Sequence, residues 1–362
     1  MEAFESMRPM PFLEVPIVQA PMAGATTPQL VAAVSNAGGL GSLPVGYDDP
    51  GVIKEKIAQV RALTERPFAV NLFVDTAATA PASDDALLRA HERLRQYRDE
   101  LGIPHPAEPA RSTLTFAKQF AAVLEARPAV FSFTFGIPDA DALRACRDAN
   151  VYTIGTAKTV DEAVAVERAG VDAVCMQGYE AGGHHGNFLA PLEDSLIGTV
   201  ALVSQAVDAV SIPVLAAGGI GDGRAIAAVL TLGATAAQVG SAFMLSDESA
   251  VPPPYRRMLA SDAVRRTTLT HVFSGRHARG VRNRFIDEMT GADDIAPYPQ
   301  QHWLTRDIRA AAAAQDRPEY LSLWTGQAVA LAKPLPAAEI VARLLADARA
   351  AAARTVAALG AG

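Results

Sequence analysis

Two adjacent histidines in a glycine-rich stretch are the residues of this chain best suited to chemistry. His184 and His185 lie near the end of the run from Gln177 to Gly186, which holds four glycines and directly follows the short apolar segment Ala173–Met176. Glycine lets a backbone approach a flat or phosphorylated ligand closely, and histidine can exchange a proton near neutral pH. The run therefore predicts a ligand surface with a titratable group beside it. A glycine-rich turn with two exposed histidines is the alternative.

The overall composition predicts a folded protein with a large core. Half of the 362 residues are hydrophobic and 20% are charged, which argues against global disorder. The 32 basic and 39 acidic residues give a formal charge of −7, and no segment is dense in Lys and Arg, so no nucleic-acid partner is expected. We find no signal-peptide pattern and no apolar run of membrane-spanning length, which predicts a cytoplasmic protein without a membrane partner.

The cysteines and the other potential metal ligands do not form a recognisable metal motif. Cys146 and Cys175 lie within helical or apolar patterns rather than at paired spacing, as in a protein of a reducing compartment. No spacing of His, Asp and Glu suggests a metal centre, so none is predicted.

Eight short apolar segments alternate with helical patterns along the chain. One helical pattern begins at Thr27, a residue type that caps helices, followed by Pro28 at the first helical position. This alternation predicts a (β/α)8 TIM barrel, with an open doubly wound sheet as the alternative because periodicity does not reveal connectivity. The predicted strands are Pro16–Ala20, Gly39–Leu43, Pro67–Phe73, Val130–Phe135, Val151–Thr156, Ala173–Gln177, Pro213–Ala217 and Ala237–Ser241.

Two regions interrupt the alternation. Residues from about 76 to 127 are polar, rich in Ala, Arg and Pro, and predict an insertion with one or two helices. Residues 246–319 contain many Arg, Pro and His residues and predict an additional lobe, inserted after strand eight, that covers the barrel mouth. Residues 320–362 predict a C-terminal helical return. The predicted barrel therefore comprises 1–245 and 320–362.

Glycines and polar residues collect at the C-terminal ends of the predicted strands, where barrels carry out their chemistry. The loops after strands seven and eight commonly hold a phosphate through backbone N–H groups. Gly218–Gly223 and Gly240–Ser241 occupy those two loops, so they predict a phosphate site. Tight barrel closure by small residues is the alternative interpretation.

Several motifs, in this order and spacing, resemble those of the nitronate monooxygenase family, formerly called 2-nitropropane dioxygenases. The resemblance covers most of the chain outside the region of about 76–127. Flavin-dependent enoyl-acyl-carrier-protein reductases and NADH:quinone reductases share much of the pattern. The motifs are therefore more specific for a flavin-binding barrel than for one reaction. The motifs are Gln19-Ala-Pro-Met22, Gly178-Tyr-Glu-Ala-Gly-Gly-His184, Ala216-Ala-Gly-Gly-Ile220, Gln238-Val-Gly-Ser241, Phe273-Ser-Gly-Arg-His-Ala-Arg-Gly280 with Asn283, and Trp324-Thr-Gly-Gln-Ala328.

The resemblance implies an FMN cofactor lying across the barrel mouth. Asn71 and Gln177 would hydrogen-bond its ring or ribityl chain, since an amide both donates and accepts. Alternatively, Asn71 caps a loop and Gln177 satisfies backbone groups at its strand end. Ser241 stands where threonine is frequent in the family and keeps the hydroxyl. The implied cofactor-binding residues are Met22, Gly24, Asn71, Gln177, Gly182, Gly218, Gly219, Gln238, Val239, Gly240 and Ser241.

His184 corresponds to the catalytic histidine of the family, and the implied reactants are a small nitronate or nitroalkane and O2. A neutral imidazole could remove the acidic C–H proton next to a nitro group. If the substrate enters as a nitronate, His184 would instead be an electrostatic or hydrogen-bonding partner. His185 is expected to be exposed or to lie behind the residues that touch the ligand. A monomer or a homodimer is expected.

Two further functions remain open from the sequence. One is an FMN-dependent reductase that uses NAD(P)H to reduce a quinone or an enoyl thioester, and the other is a flavin-binding sensor without catalysis. Arg276, Arg279 and Arg282 recur at helical spacing and predict either an anchor for the lobe or a positive surface for an anionic substrate. Surface or structural roles are predicted for His271, His277 and His302.

Overall fold

The barrel predicted from the alternating segments is present. The structure, a computed structural model, describes residues 10–74 and 83–360. Its strands are β1 Ile17–Gln19, β2 Gly41–Pro44, β3 Phe68–Phe73, β4 Val130–Thr134, β5 Tyr152–Ala157, β6 Ala173–Gln177, β8 Val214–Ala217 and β9 Ala236–Val239. They are parallel neighbours in the order β1-β9-β8-β6-β5-β4-β3-β2. Leu40, just before β2, links the two ends of this order, since its N–H donates to Ile17 and its carbonyl accepts from Gln19.

These strands are buried on both faces, as is expected for parallel strands covered by helices. The (β/α)8 prediction is therefore confirmed, and the open doubly wound alternative is wrong. Residues 1–9, 75–82 and 361–362, which include the start of the predicted barrel and of the predicted insertion, lie outside the described residues.

Helices on the outside of the barrel begin at capping residues that the sequence makes recognisable. The Oγ1 atom of Thr27 accepts from the N–H of Leu30 at 3.0 Å, as predicted for the first helix. Asp139 caps the helix after β4 in the same way, at 2.8 Å. These outer helices are α1 Pro28–Asn36, α2 Pro50–Leu63, α5 Phe116–Ala126, α6 Ala140–Asp148, α7 Val160–Arg168, α8 Thr199–Ala209, α9 Gly223–Thr231 and α14 Ala337–Leu359.

The helical return at the C-terminal end is shorter than predicted. Residues 321–336 are extended or form a single 3-10 turn, and the final helix, α14, begins at Ala337 rather than near 320. Helix α14 packs against α9, where a Cβ atom on Gly223 would lie 2.6 Å from the carbonyl carbon of Asp347. The absence of a side chain at Gly223 therefore lets the two helix backbones come into contact.

In residues 83–129, the described part of the region between β3 and β4, there are three helices where the sequence predicted one or two. Helix α5 belongs to the barrel, because Phe120 and Val123 join its hydrophobic core. The other two are α3 Asp84–Arg93 and α4 Arg95–Leu101. Tyr97 of α4 packs against Phe285 and Tyr320, with ring centroids 4.6 and 5.8 Å apart. Helices α3 and α4 thus share a hydrophobic cluster with the region predicted as the lobe. The exact division into barrel and lobe stays a prediction.

A small antiparallel sheet joins the glycine-rich loop to that region. Its strands are β7 Gly183–His184, β10 Thr267–Thr270 and β11 Ala278–Val281, in the order β10-β11-β7. His184 is paired with Ala278, so the loop after β6 is held by strands that lie about 90 residues further along the chain. Arg279 lies in β11, so the helical interpretation of the three arginines is wrong. The helices here are α10 Pro253–Leu259, α11 Arg284–Met289, α12 Gln300–Leu304 and α13 Arg306–Ala314.

Two further features bear on the predicted class of protein. Across residues 10–74 and 83–360, none of the helices combines the length and the apolar character needed to cross a bilayer. In the same residues, no cluster of three or more His, Cys, Asp and Glu side chains is arranged to hold a metal ion. Cys146 and Cys175 are both buried and unbonded.

Candidate active site

A cavity of about 470 Å³ opens at the C-terminal ends of the barrel strands. The structure brings almost all of the residues predicted to form the site to its wall. The exception is Val239, whose side chain is fully buried in the barrel core and does not reach the cavity. The predicted residues that line the cavity are Met22, Gly24, Asn71, Gln177, Gly182, His184, Gly218, Gly219, Gln238, Gly240 and Ser241.

The side chain of Gln177 holds the loop that carries His184. Its Nε2 atom donates to the carbonyl of His184 at 3.0 Å, and its Oε1 atom accepts from the N–H of Gly186 at 2.8 Å. This is the backbone-satisfying role that the sequence left open as an alternative. A primary amide has two N–H groups, so one donor of Gln177 remains for a ligand.

An aromatic enclosure surrounds the imidazole of His184. The ring centroids of Tyr298 and Trp324 lie 5.7 Å from that of His184, and the ring of Phe135 lies 5.9 Å away. The Nε2 atom of His184 lies 2.8 Å from the Oγ atom of Ser274. The side chain is therefore fixed by one polar contact and by packing on several sides.

The charges around His184 favour its neutral form and a bound anion. Burial, together with the positive charges of Arg276 and Arg309, lowers the pKa of His184 to about 3. Arg276 donates to the carbonyls of His185 (at 3.0 Å) and Asn187. Arg309 donates to the carbonyl of His302 at 2.8 Å. Neither guanidinium forms an ion pair within the described part of the chain. Arg309 lines the cavity, whereas Arg276 lies over the ring of Phe135, 4.0 Å from its centroid, and is not among the lining residues.

The loops predicted to bind phosphate form one corner of the cavity. Gly218 and Gly219 have φ angles of 102° and 72°, a conformation that L side chains rarely adopt. On the neighbouring strand end, the Oγ atom of Ser241 accepts from Gly326 N at 2.9 Å and from Thr325 Oγ1 at 3.2 Å. Because both contacts use lone pairs, the single hydroxyl hydrogen of Ser241 remains able to donate to a ligand.

Gly182 packs closely against the backbone of another segment of the chain. A Cβ atom there would lie 2.8 Å from Thr325 Cα and would also overlap the backbone of Gly326. The segment from 321 to 328, predicted as helix, therefore crosses the mouth and packs on the glycine-rich loop. It supplies Trp324 and Thr325 to the cavity wall.

Asn71 is almost completely buried at the end of β3 and donates to the Oγ atom of Ser132 at 3.0 Å. This bond uses one of its two N–H groups and leaves its carbonyl oxygen unbonded within the described residues. Asn71 is therefore placed to offer both a donor and an acceptor to a ligand in the cavity.

His185 is not exposed, contrary to one of the two expectations. Its side chain is fully buried, on the opposite face of β7 from His184, and neither ring nitrogen has a hydrogen-bond partner within residues 10–74 and 83–360. Burial and the nearby Lys158 ammonium lower its pKa to about 2. Lys158 is itself buried and donates to the carbonyl of Gln177 at 3.0 Å. His185 therefore lies behind the residues that line the cavity.

Two residues of the cavity wall escaped the sequence analysis. His302, predicted as a surface or structural residue, lines the cavity and stacks on Tyr47 with ring centroids 3.9 Å apart. Arg309 received no role at all. Both lie on short helices after β9. This region contributes no barrel strand, so no strand end in the sequence indicates that its side chains reach the barrel mouth. Arg279 of β11 helps to anchor this region, one of the two roles left open by the sequence, but through a backbone carbonyl: its Nε atom donates to Tyr179 at 3.1 Å.

Fold and site together define a barrel enzyme with a neutral histidine and an arginine, Arg309, on the wall of the cavity at its mouth. The family model described as nitronate monooxygenase matches residues 7–347. A probable nitronate monooxygenase from Staphylococcus aureus (strain MSSA476) is 42% identical over 335 residues, covering 92% of this chain and 94% of the relative. The chain belongs to the nitronate monooxygenase family, and it is an oxidoreductase.

Solved structures agree with this assignment. Nitroalkane oxidase from Streptomyces ansochromogenes is similar with a TM-score of 0.85 and 41% identity, covering 94% of this chain and 98% of that one. FabK from Thermotoga maritima is similar with a TM-score of 0.73 and 29% identity, covering 98% and 97%. The family resemblance inferred from the motifs is thus confirmed, and the alternative of a flavin-binding sensor without catalysis is not supported.

Proposed function

We propose that this chain is an FMN-dependent nitronate monooxygenase that oxidises small alkyl nitronates, or the nitroalkanes that form them, with O2 to a carbonyl compound and nitrite. The observation that carries the proposal is the arrangement around His184. A neutral imidazole lies beside Arg276 and Arg309, two guanidinium groups without an ion-pair partner in the described residues. A proton acceptor near positive charge suits a substrate that becomes, or already is, an anion.

The cavity wall supports FMN as the cofactor. The volume of the cavity, about 470 Å³, lies within the range of roughly 300–1,000 Å³ that is typical of small-molecule sites. A Cβ atom on Gly24 would have no other atom within 4 Å, so the wall there leaves room for a planar ring. Met22 and Gly24 would lie along the ring, while Asn71 and Gln177 would use their free amide groups on it.

The phosphate of FMN fits the corner formed by the loops after β8 and β9. The residues assigned to it are Gly218, Gly219, Gln238, Gly240 and Ser241. The hydroxyl of Ser241 has a hydrogen left to donate, and Gly218 and Gly219 permit a backbone path that a side chain would obstruct. When bound, FMN supplies a two-electron acceptor that O2 can reoxidise.

The residues of the chain prepare the substrate. With a neutral nitroalkane, His184 takes the proton from the carbon next to the nitro group, and the electron pair of that C–H bond stays on the nitronate. With a preformed nitronate, the same neutral imidazole makes a polar contact and no proton is transferred. Arg309 on the cavity wall stabilises the anion in either case, and the rings of Phe135 and Trp324, which also line the cavity, exclude water from it.

Oxygen uptake and nitrite release test this function directly. Purified protein should be yellow, and an alkyl nitronate added in air should consume O2 and release nitrite without NADH. The substitution His184→Asn should abolish turnover of the neutral nitroalkane, while His277→Asn, outside the cavity, should not. Oxygen uptake at background level would contradict the proposal. Rapid bleaching of the flavin by NADH under anaerobic conditions would instead support the NAD(P)H-dependent reductase.

A further inference from the structure

The hydroxyl group of Ser274 bridges His184 and a backbone carbonyl. Its Oγ atom lies 2.8 Å from His184 Nε2 and 3.0 Å from the carbonyl oxygen of Arg276. Ser274 is 1% exposed, so water does not compete for these contacts. Both distances are those of good hydrogen bonds.

Hydrogen counting assigns a direction to each of the two bonds. A serine hydroxyl has one hydrogen to donate, and a carbonyl oxygen can only accept. The hydroxyl must therefore donate to Arg276, and it then accepts from a hydrogen on His184 Nε2. The reverse assignment would place two acceptors 3.0 Å apart in a buried site and leave the Arg276 carbonyl without this donor.

The turn that carries Ser274 is held in place from two directions. The N–H groups of Ser274 and Gly275 donate to the carbonyl of His271 at 3.2 and 2.7 Å. The Oγ1 atom of Thr305 donates to the carbonyl of Phe273 at 2.7 Å. Because both the turn and β7 are fixed by backbone bonds, Ser274 and His184 cannot separate without breaking the small sheet.

We propose that Ser274 is a positioning residue that holds neutral His184 in its Nε2–H tautomer, so that Nδ1 is the atom that accepts the substrate proton. The Nδ1 atom has no hydrogen-bond partner among the described residues, and His184 lines the cavity. In the step assigned to it, the substrate C–H bond breaks, the proton moves to Nδ1, and the electron pair of that bond forms the C=N bond of the nitronate, with the negative charge on the nitro oxygens. The role at the substrate rests on the proposed function, whereas the tautomer does not.

Nitrogen NMR of the purified protein labelled with ¹⁵N-histidine tests the tautomer. We expect His184, identified by the signals lost in His184→Gln, to show a protonated Nε2 and an unprotonated Nδ1 near neutral pH. In Ser274→Ala that preference should weaken or reverse. A matched control is Ser246→Ala, which removes a fully buried hydroxyl that has no partner among the described residues. A protonated Nδ1 in the unaltered protein, or an unchanged tautomer in Ser274→Ala, would overturn the proposal.

Kinetics with the two substrate forms test the consequence. Ser274→Ala should lower kcat for a neutral nitroalkane about tenfold or more, part of the ~10²–10⁴-fold that a positioned base contributes. Turnover of the preformed nitronate, which requires no proton transfer, should change much less, and Ser274→Thr should restore part of the loss. Equal losses with both substrates would show a merely structural role. If the unaltered protein oxidises neither substrate, the proposed function fails while the NMR result still decides the tautomer.

Discussion

The Nε2 atom of Gln177 donates to the carbonyl of His184 at 3.0 Å, which joins the last residue of a barrel strand to the histidine of the candidate active site. The Oε1 atom of the same side chain accepts from the N–H of Gly186 at 2.8 Å, so one amide bridges the backbone from His184 to Gly186. On its other edge, the histidine is paired with Ala278 of β11. The position of His184 is therefore defined jointly by the barrel and the small sheet.

Replacing Gln177 by Glu should reduce activity without unfolding the protein. A carboxylate can still accept from Gly186 but cannot donate to the carbonyl of His184, and a lost buried hydrogen bond costs about 1–3 kcal/mol. We expect kcat/KM with a nitronate to fall about tenfold, and the melting temperature to fall modestly. Gln205→Glu is the matched control, because Gln205 is a surface residue that bonds only within helix α8. Unchanged kinetics in Gln177→Glu would show that the loop needs no such support.

Removing the charge of Arg309 should weaken binding of the anion. Arg309 lowers the pKa of His184 and has no ion-pair partner in the described residues. Since a hydrogen bond to a charged group contributes about 1.5–3 kcal/mol, Arg309→Gln should raise KM for a nitronate roughly tenfold or more. Steady-state oxygen uptake measures this, with Arg354→Gln on the exposed end of α14 as the control. An unaltered KM would mean that the anion is bound elsewhere.

A methyl group at Gly182 should disturb the mouth of the barrel. The added Cβ atom would overlap the backbone of Thr325 and Gly326, and such overpacking costs about 1–3 kcal/mol. We expect Gly182→Ala to lower the free energy of unfolding and to retain less flavin, as measured by urea titration and by absorbance. Gly51→Ala is the control, because its Cβ atom would meet nothing within 4 Å in helix α2. Equal stability of both variants would contradict the predicted packing.

Acid should destabilise the protein through its buried histidines. Burial lowers the pKa of His184 to about 3 and the pKa values of His185 and His302 to about 2, against 6.5 for an exposed group. The unfolded chain therefore takes up these protons first, so stability is lost as the pH falls from about 6.5 toward about 3 and is fully present above 6.5. Each of these histidines lowers the free energy of unfolding by up to about 1.4 kcal/mol for every pH unit below about 6.5.

Urea unfolding between about pH 7 and about pH 4 measures this dependence. The variant His302→Gln lacks one group that must be buried in its neutral form, so its free energy of unfolding should fall less steeply with acid. The same slope as in the unaltered protein would show that His302 is not held neutral by the fold. Since His184 stays neutral throughout this range, its protonation should not limit activity above about pH 4.

Local features of the sequence were sufficient to predict the barrel. Buried parallel strands must be short and continuously apolar, and helix caps such as Thr27 act within three residues, so both are visible in the chain itself. The ends of those strands also located the glycines and amides that line the cavity, because a barrel places all of its strand ends at one mouth.

Only the tertiary structure decided what surrounds His184. The side chains Ser274, Tyr298, Arg309 and Trp324 come from segments more than 80 residues away in the chain and without strand periodicity, so no local pattern reveals where they meet. The same holds for Gln177 and His185, whose types suggested a ligand contact and an exposed side chain. Backbone groups of the folded loop occupy Gln177, and burial behind β7 keeps His185 from the cavity. Residue type and spacing thus determined which chemistry was available, whereas long-range packing, which sets burial and charge, determined which of the two adjacent histidines reaches the cavity.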